Sequence, residues 1–463
     1  MTFARQIIFS LPLLVHAGAV AAIGCDYDIA PSDLAPVEIE VALRCEAGVT
    51  RLVAPKLQPI TLEIDGRMAD VADGSWPVGS DAFSARYRIA PGVGAARMGK
   101  TAMATLDAWL IRPVEREVSL RLTARPRDDF SIALPLLRQD GVPTIRSDLV
   151  PFAGYTAFGP VVERLIALPG PGAFDWQPAV EPARLRVVRL DGPLALTDDQ
   201  LFGWVERAGV AVARFWRGFP VADALLVVQP MAGRGNVVFG RVVPGGGISV
   251  MLQVGEYAGA SAVRDDWILI HELIHTASPF RPGAAWLMEG LATYLEPILR
   301  ARAGWLTPEA VWAEFMNGMP RGLPAMTETG LDGTGRGGIY WGGALFMLLA
   351  DAELRRSSEG RRGLEDCLVA VLRQGGDATQ RWSPDAFIRT CDAATGVPVL
   401  SGLAARHRFA GTPIDLAALW GGLGVLADGR SVHLTETPEA WLREAILWGG
   451  PGGSPPALPT PIE

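Results

Sequence analysis

Hydrophobic and polar residues alternate along the first third of the chain, as they do in β-strands with one buried face. In VEIEVALRC, which begins at Val37, every second residue is hydrophobic and most of the residues between them are charged. REVSLRLTARP, which begins at Arg116, alternates in the same way, and ITLEIDG ends in the turn signal Asp65-Gly66. We therefore predict an antiparallel, sandwich-like β-domain over residues 25–190.

The pattern changes after residue 190. Residues 201–219 have helical spacing, and the apolar runs that follow indicate buried strands in ALLVVQP, NVVFGRVV and GGGISVML. Helical patterns then cover residues 261–277, 284–302 and 340–356, and Pro297 is expected to break or kink the second of them. We predict an α/β unit over residues 194–302 and a mostly helical part over residues 303–448, so the fold class is multidomain α+β.

The composition is that of a globular protein with ordinary hydrophobic cores. Of the 463 residues, 49% are hydrophobic and 20% are charged, which excludes a disordered or collagen-like chain. The formal net charge is −8, so no broad nucleic-acid-binding surface is expected. The chain contains only 5 His, which makes any close pair of them informative.

The first residues have the layout of a secretory signal peptide. Arg5 precedes an apolar run over residues 7–15, and small residues surround Ala21. Because the apolar run is too short to span a membrane, we predict a signal peptide over residues 1–24 and export to the periplasm or cell surface. Residues 449–463 are rich in Pro and Gly, which predicts a flexible tail.

The 4 cysteines allow two interpretations. An even number in an exported chain favours the disulfides Cys25–Cys45 and Cys367–Cys391. Alternatively, the Ala-Ile-Gly that precedes Cys25 resembles a weak bacterial lipobox, in which case Cys25 would carry a lipid and tether the protein to a membrane. The two interpretations exclude each other at Cys25.

The segment DDWILIHELIHTAS contains an HExxH motif. On a helix, His271 and His275 lie one turn apart on the same face, so both imidazoles can bind one metal ion. Glu272 is rotated by about 100° from His271 around the helix axis, which places it to act on a water instead of serving as a ligand. The flanking residues are apolar, and burying both imidazoles there without a partner would be unfavourable. We predict one Zn²⁺ per chain at this site, with Glu272 as general base.

A third ligand is expected from the next helix, because catalytic zinc has three protein ligands. The best candidate is Glu289 in AAWLMEGLATYLEP, which follows His275 with 13 residues between them. HELIH followed by W-L-x-E-G-L-A-T-Y resembles the gluzincin metallopeptidases, in particular the bacterial glycyl aminopeptidase-like family and, more distantly, the aminopeptidase N family. The resemblance implies a thermolysin-like catalytic domain over residues 194–302 and Glu289 as the third zinc ligand.

The resemblance extends to IYWGGALFMLLADAEL, which is similar to a helix start in these families that begins Tyr-x-x-Gly. It implies that Tyr340 donates a hydrogen bond to the developing oxyanion. The G-x-M-E-N motif of the aminopeptidase N family, whose Glu binds the free amine of the substrate, is absent, so recognition of an N-terminal amine is not indicated. The glycines at positions 245–247 either admit a substrate backbone or form a flexible turn.

Other polar residues are weaker candidates for the site. Thr293 and Glu296 follow the third ligand on the same helix face and could orient a zinc-bound His. Glu256, Arg241 and Arg336 lie in Gly-rich segments and could contact a substrate, although a surface position explains them equally well.

The sequence as a whole predicts an exported zinc metallopeptidase that hydrolyses peptide bonds in a peptide or protein substrate. Two alternatives stay open: a catalytically inactive, zinc-stabilised envelope scaffold or peptide-binding protein, and a zinc hydrolase of a non-peptide amide. The general base argues against the scaffold, because a structural zinc site does not need one. The sequence indicates neither the side-chain preference nor the choice between exo- and endo-cleavage, and it leaves the oligomeric state open.

Overall fold

The computed structural model describes residues 23–33, 37–53, 60–69, 74–91, 96–173, 181–279 and 283–449. The predicted signal peptide up to residue 22, and the predicted tail from residue 450, lie outside these residues. Within the described ranges, every helix is too short or too polar to cross a membrane.

The N-terminal part is built from β-strands, as the alternating pattern predicts. Its elements are β1 (Gly24–Pro31), β2 (Ile39–Cys45), β3 (Arg51–Val53), β4 (Leu62–Ile64), β5 (Arg67–Ala69), β6 (Ser75–Pro77), β7 (Phe83–Ile89), β8 (Ala96–Met98), β9 (Thr101–Thr105), α1 (Leu106–Trp109), β10 (Arg112–Pro113), β11 (Ser119–Ala124), β12 (Ser131–Ala133), β13 (Arg138–Gln139), β14 (Val142–Arg146) and β15 (Tyr155–Gly159). They form an eight-stranded, a three-stranded and a four-stranded sheet around a shared hydrophobic core. The pairing is antiparallel except between β1 and β11, which run parallel.

Both predicted disulfides are present. Cys25 and Cys45 face each other across β1 and β2, with their Cα atoms 4.1 Å apart. The sulfur of Cys25 is therefore bonded to Cys45, and the alternative in which this sulfur carries a lipid is not the arrangement found here. Cys367 is bonded to Cys391 in the C-terminal part.

A five-stranded sheet follows, with the order β16 (Val162–Leu168), β17 (Ala183–Arg189), β18 (Asp223–Met231), β20 (Ile248–Gly255) and β19 (Val237–Val243). The three central strands are parallel, and both edge strands are antiparallel to their neighbours. The predicted domain boundary at residue 190 does not match this sheet, because β16 and β17 lie before it, and β16 pairs with β17 and β17 with β18, not with the β-domain. Alternating or apolar residues indicate a strand, but they do not specify its partner.

The remaining elements are mostly helical, as predicted. They are α2 (Asp198–Trp216), α3 (Ala260–Arg264), α4 (Ile268–His275), α5 (Ala285–Arg302), α6 (Pro308–Gly318), α7 (Gly343–Ser357), α8 (Leu364–Arg373), α9 (Pro384–Thr395), α10 (Val399–His407), α11 (Leu416–Leu423), the hairpin β21 (Val425–Asp428) and β22 (Ser431–Leu434), and α12 (Ala440–Trp448). One continuous hydrophobic core joins the five-stranded sheet to these helices, from Ile166 to Leu447. The predicted division at residue 302 is therefore not a division of the core. Pro297 does not break α5 either, because this part of the helix is buried in that core.

The glycines at positions 245–247 join the β-domain to the five-stranded sheet. The amide of Gly245 donates a hydrogen bond to the carbonyl of Phe152 at 3.1 Å. A Cβ atom at Gly245 would lie 2.1 Å from that carbonyl oxygen, and one at Gly247 would lie 2.3 Å from the carbonyl oxygen of Pro135. These glycines allow the backbone of the β-domain to approach closely, while the substrate contact and the flexible turn stay predictions.

Candidate active site

Helix α4 carries the HExxH residues, and its start is fixed by Asp266. The carboxylate of Asp266 accepts hydrogen bonds from the amides of Ile268 at 3.1 Å and Leu269 at 2.9 Å, which satisfies two amides that have no partner within the helix. Burial raises the pKa of Asp266 to about 6. The apolar residues of α4 are almost completely buried against the core, so the helix has little freedom to rotate.

Helices α4 and α5 bring three ligand groups together. Glu289, on α5, places Oε2 3.2 Å from Nε2 of His271 and 3.4 Å from Nε2 of His275. The candidate ligand atoms of the three residues lie within 4.8 Å of one another. Burial lowers the pKa of His271, which favours the neutral imidazole that binds a metal. Burial opposes the ionisation of Glu289, but hydrogen bonds from both His outweigh it and hold the pKa of Glu289 below its ordinary value.

This donor set fits a catalytic zinc ion. Two neutral imidazoles and one carboxylate are the protein ligands of a common type of hydrolytic zinc site, in which a further position is left for water. The group lies at the base of a cleft with a volume of about 820 Å³, so that position has access to solvent and substrate. Sequence reasoning named the same three residues, and the structure places them at one point.

Glu272 lies beside the three ligands and is not one of them. It lines the same cleft, and its side chain packs against strand β19, where a Cβ atom added to Gly240 would lie 2.5 Å from the Cγ of Glu272. Burial raises the pKa of Glu272 to about 7, which is the range in which a carboxylate can both accept and return a proton near neutral pH. The role of Gly240 could not be predicted from the sequence, because its contact with α4 exists only in the folded sheet.

Replacing Gly240 with alanine is expected to displace Glu272 without removing a ligand. The added methyl group would clash with the Cγ of Glu272 and, at 2.8 Å, with the Cγ2 of Ile268. A shift of about 1 Å in a catalytic group can lower activity by about 100-fold, and we expect a loss of kcat/KM of that order with unchanged metal content. Gly235→Ala is the matched control, because a Cβ atom there meets nothing within 4 Å. Equal activity of the two variants would show that Gly240 does not position the base.

Tyr340 lies near the ligand group, in a π-helical turn (Gly338–Gly342) that leads into α7. Its ring is nearly parallel to that of His271, with 6.3 Å between the ring centroids, and it lines the cleft. Burial and the nearby carboxylates of Glu289 and Glu272 raise the pKa of Tyr340 above its ordinary value. The phenol therefore keeps its proton at neutral pH and can donate a hydrogen bond into the cleft.

The weaker candidates have other partners. Thr293 donates a hydrogen bond to the backbone carbonyl of Glu289, and Glu296 pairs with Arg300 at 2.7 Å, so these interactions do not orient a zinc-binding His. Glu256 accepts a hydrogen bond from the amide of Gly233. Arg241 lines the cleft from strand β19, and the charge of Arg336 acts on Tyr340.

Besides α4, α5 and Tyr340, three other parts of the chain line the cleft. The β-domain contributes Thr105, Leu149, Phe152 and Tyr155, strand β19 contributes its edge, and the loop after α8 contributes residues 378–381. The contributions of the β-domain and of this loop could not be predicted from the sequence, because both are distant along the chain from the HExxH motif.

Comparisons with known proteins agree with this fold. No protein-family model matches the chain, and no curated protein matches it. Among solved structures, an aminopeptidase N family protein from Idiomarina loihiensis is similar over 90% of this chain and 82% of its own, with a TM-score of 0.62 and 14% identity. A two-domain M1 zinc metallopeptidase mutant bound to L-arginine is similar over 85% and 95% of the two chains, with a TM-score of 0.52 and 13% identity. An M1 zinc metallopeptidase mutant from Deinococcus radiodurans, bound to a Tyr-Ser-Ala substrate, is similar over 85% of this chain and 95% of its own. Its TM-score is 0.50 and its identity is 13%. The predicted resemblance to the aminopeptidase N family is thus confirmed at the level of the fold.

Proposed function

We propose that this protein is a zinc-dependent metallopeptidase. The observation that carries the proposal is the convergence of His271, His275 and Glu289 on one point, with the buried carboxylate of Glu272 next to them at the base of a cleft. The similarity in fold to M1 zinc metallopeptidases supports it, and one of these structures contains a peptide substrate.

The three ligands would hold one Zn²⁺. A zinc ion bound there supplies Lewis-acid chemistry, since its charge lowers the pKa of water and polarises the carbonyl of the scissile bond. His271 and His275 would bind through Nε2, the atoms that face Glu289. Glu289 contributes a negative charge, which balances part of the charge of the ion.

Glu272 is the general base in this proposal. Its carboxylate takes a proton from the attacking water and then passes it to the nitrogen of the leaving amine, so that the peptide C–N bond breaks as a neutral amine departs. A pKa of about 7, raised by burial, suits both steps. The close packing against Gly240 keeps the carboxylate on the cleft side of α4.

Tyr340 stabilises the transition state in this proposal, and Tyr340→Phe tests it. Removing the hydroxyl removes a donor aimed at the oxygen that gains negative charge, so we expect kcat to fall by about 10²–10³-fold while KM changes much less. Steady-state kinetics on one peptide substrate measure both constants. Tyr257→Phe is the control, since Tyr257 is 65% exposed and does not line the cleft. An unchanged kcat in Tyr340→Phe would remove Tyr340 from the mechanism.

Export is a further part of the proposal. The sequence of residues 1–24 supports it, and so do two disulfides, which persist in oxidising compartments such as the periplasm. Fractionation of cells that express the full chain tests it: cleaved protein outside the cytoplasm is expected, and uncleaved cytoplasmic protein would contradict it.

The proposed function is tested by two measurements on the purified protein. We expect about one zinc per chain by elemental analysis and cleavage of a mixed peptide library by mass spectrometry, lost on chelation and regained with Zn²⁺. Zinc without cleavage would favour the inactive scaffold or the hydrolase of a non-peptide amide. Protein without zinc would contradict all three.

A further inference from the structure

The cleft has an unusual charge distribution for a protein with a net charge of −8. Among the described residues, its acidic side chains are Glu272 and Glu289, both of which belong to the proposed zinc chemistry. The other charged side chains that line it are Arg241 and Arg381. The part of the cleft that is left for substrate is therefore basic.

Arg241 lies on the edge strand β19, directly after the glycine that packs against Glu272. It is exposed and forms no salt bridge with any carboxylate in the described part of the chain. Some arginines on or beside strands are paired with a carboxylate across the sheet: Arg88 with Glu40, Arg121 with Asp26, Arg125 with Asp28, and Arg184 with Asp223. Arg241 differs from them in facing a cleft instead of a neighbouring carboxylate.

Arg241 is also close to the chemistry. It directly follows Gly240, which packs against the Cγ of Glu272, and Arg241 and Glu272 line the same cleft. A group bound by Arg241 would therefore lie in the same cleft as the proposed zinc chemistry.

Arg381 comes from a different part of the chain. Its guanidinium carbon lies 5.2 Å from the ring centroid of Phe152, a β-domain residue that is 54% exposed. This cation–π contact crosses from the helical part to the β-domain and holds a second guanidinium on the wall of the cleft. Guanidinium groups bind carboxylates through two parallel hydrogen bonds, so both arginines are suited to one kind of ligand.

We propose that the cleft selects peptides that carry a carboxylate close to the scissile bond, and that Arg241 and Arg381 bind this carboxylate. The carboxylate is either an Asp or Glu side chain or the C-terminus of the peptide. The proposal rests on the proposed peptidase function and specifies its substrate class. It makes the two arginines specificity-determining residues and gives them no part in the bond-breaking step.

The test uses matched peptides and the zinc-loaded, full-length protein. One set replaces Asp by Asn or Glu by Gln at each position around the cleavage site, and a second set compares a free C-terminus with a C-terminal amide. We expect kcat/KM for the acidic peptides to exceed that for their neutral partners by about tenfold or more, a typical effect of a charge pair in a binding site. The first set reports on side chains and the second on the terminal carboxylate.

Variants of the two arginines test whether they cause the preference for acidic peptides. Arg241→Gln and Arg381→Gln should each reduce the ratio of kcat/KM between acidic and neutral peptides, and the double variant should abolish it. Both variants should still cleave the neutral peptides. A variant that fails to fold would lose this activity as well, so the neutral peptides distinguish a folding defect from a loss of selectivity. Arg214→Gln, on the exposed face of α2 outside the cleft, is the control and should keep the full ratio.

The outcomes separate this inference from the function on which it rests. Equal cleavage of acidic and neutral peptides by the wild type would overturn the inference and leave the peptidase intact. A preference that survives in the double variant would overturn the assignment to Arg241 and Arg381. Failure to cleave any peptide would remove the proposed function and this inference with it.

Discussion

Glu272→Gln is expected to reduce kcat by about 10²–10⁴-fold, the contribution that a general acid–base group typically makes, while the protein keeps its zinc. The amide is nearly the same size as the carboxylate, so it fits beside Gly240, but it cannot accept the proton of the attacking water. Zinc should be kept because the ligand group consists of His271, His275 and Glu289. The measurements are kcat on a peptide substrate and the zinc content of the same preparation.

The control for this experiment is Glu206→Gln. Glu206 is an exposed residue of α2, outside the cleft, so this variant makes the same chemical change without touching the site. Full activity in both variants would show that Glu272 is not the base. Loss of zinc in Glu272→Gln alone would show that it contributes to the ligand set.

Local periodicity was sufficient to predict the HExxH part of the site. Residues four apart on a helix share a face whatever the rest of the fold does, and the apolar flanks of α4 indicated that this helix is buried. Local periodicity was not sufficient to predict the third ligand. Glu289 lies on a separate helix, and its assignment depended on the resemblance of its surrounding residues to a family pattern as well as on its distance along the chain. The geometry of α4 and α5 now supports the assignment independently of that resemblance.

Capping and turn signals were reliable because they act over a few residues. Thr307 followed by Pro308 is a sequence signal for a helix start, and Thr307 accepts a hydrogen bond from the amide of Ala310 at the start of α6. The helical pattern over residues 261–277, in contrast, is divided into α3 and α4, with Asp266 between them. An Asp just before an apolar run is a start signal for a helix, and it could have located this division from the sequence.

Long-range relations were the part that the sequence could not supply. Glycine at position 240 makes room for Glu272, and glycine at position 245 makes room for Phe152, yet neither partner is near in sequence. The same holds for β16 and β17, whose residues predicted strands but not the sheet to which they belong. The cleft depends on all of these contacts, so its walls and its basic character became visible only in the folded chain.

The hydrophobic core holds both helices that carry the candidate ligands. Both α4 and α5 are packed into the core that joins the five-stranded sheet to the helices, and the residues on either side of the ligands are almost fully buried. Because packing in the core fixes these side chains, the conformational entropy of the site is lost during folding and not when a metal binds. A single substitution at a ligand should therefore alter metal binding more than it alters the fold.

Glu289→Ala tests this directly, and we expect its zinc affinity to fall by more than about 100-fold. Removing a group that only supports a ligand costs about 10–100-fold, and Glu289 is proposed as a ligand itself. The two imidazoles of His271 and His275 would remain, but without the negative charge that now lies 3.2 and 3.4 Å from them. Zinc affinity is measured by competition with a chromogenic chelator, and activity is measured after addition of Zn²⁺ to the chelated protein.

Thr293→Ala is the matched control for this variant. Thr293 lies one turn after Glu289 on α5, and its hydroxyl donates a hydrogen bond to the backbone carbonyl of Glu289 at 2.7 Å, so its loss should leave the ligand atoms in place. Zinc should restore activity to the chelated wild type and to Thr293→Ala, but not to Glu289→Ala at the same concentration. If Glu289→Ala binds zinc as tightly as the wild type, the third ligand is another residue, and the site must then be centred away from the point where α4 and α5 meet.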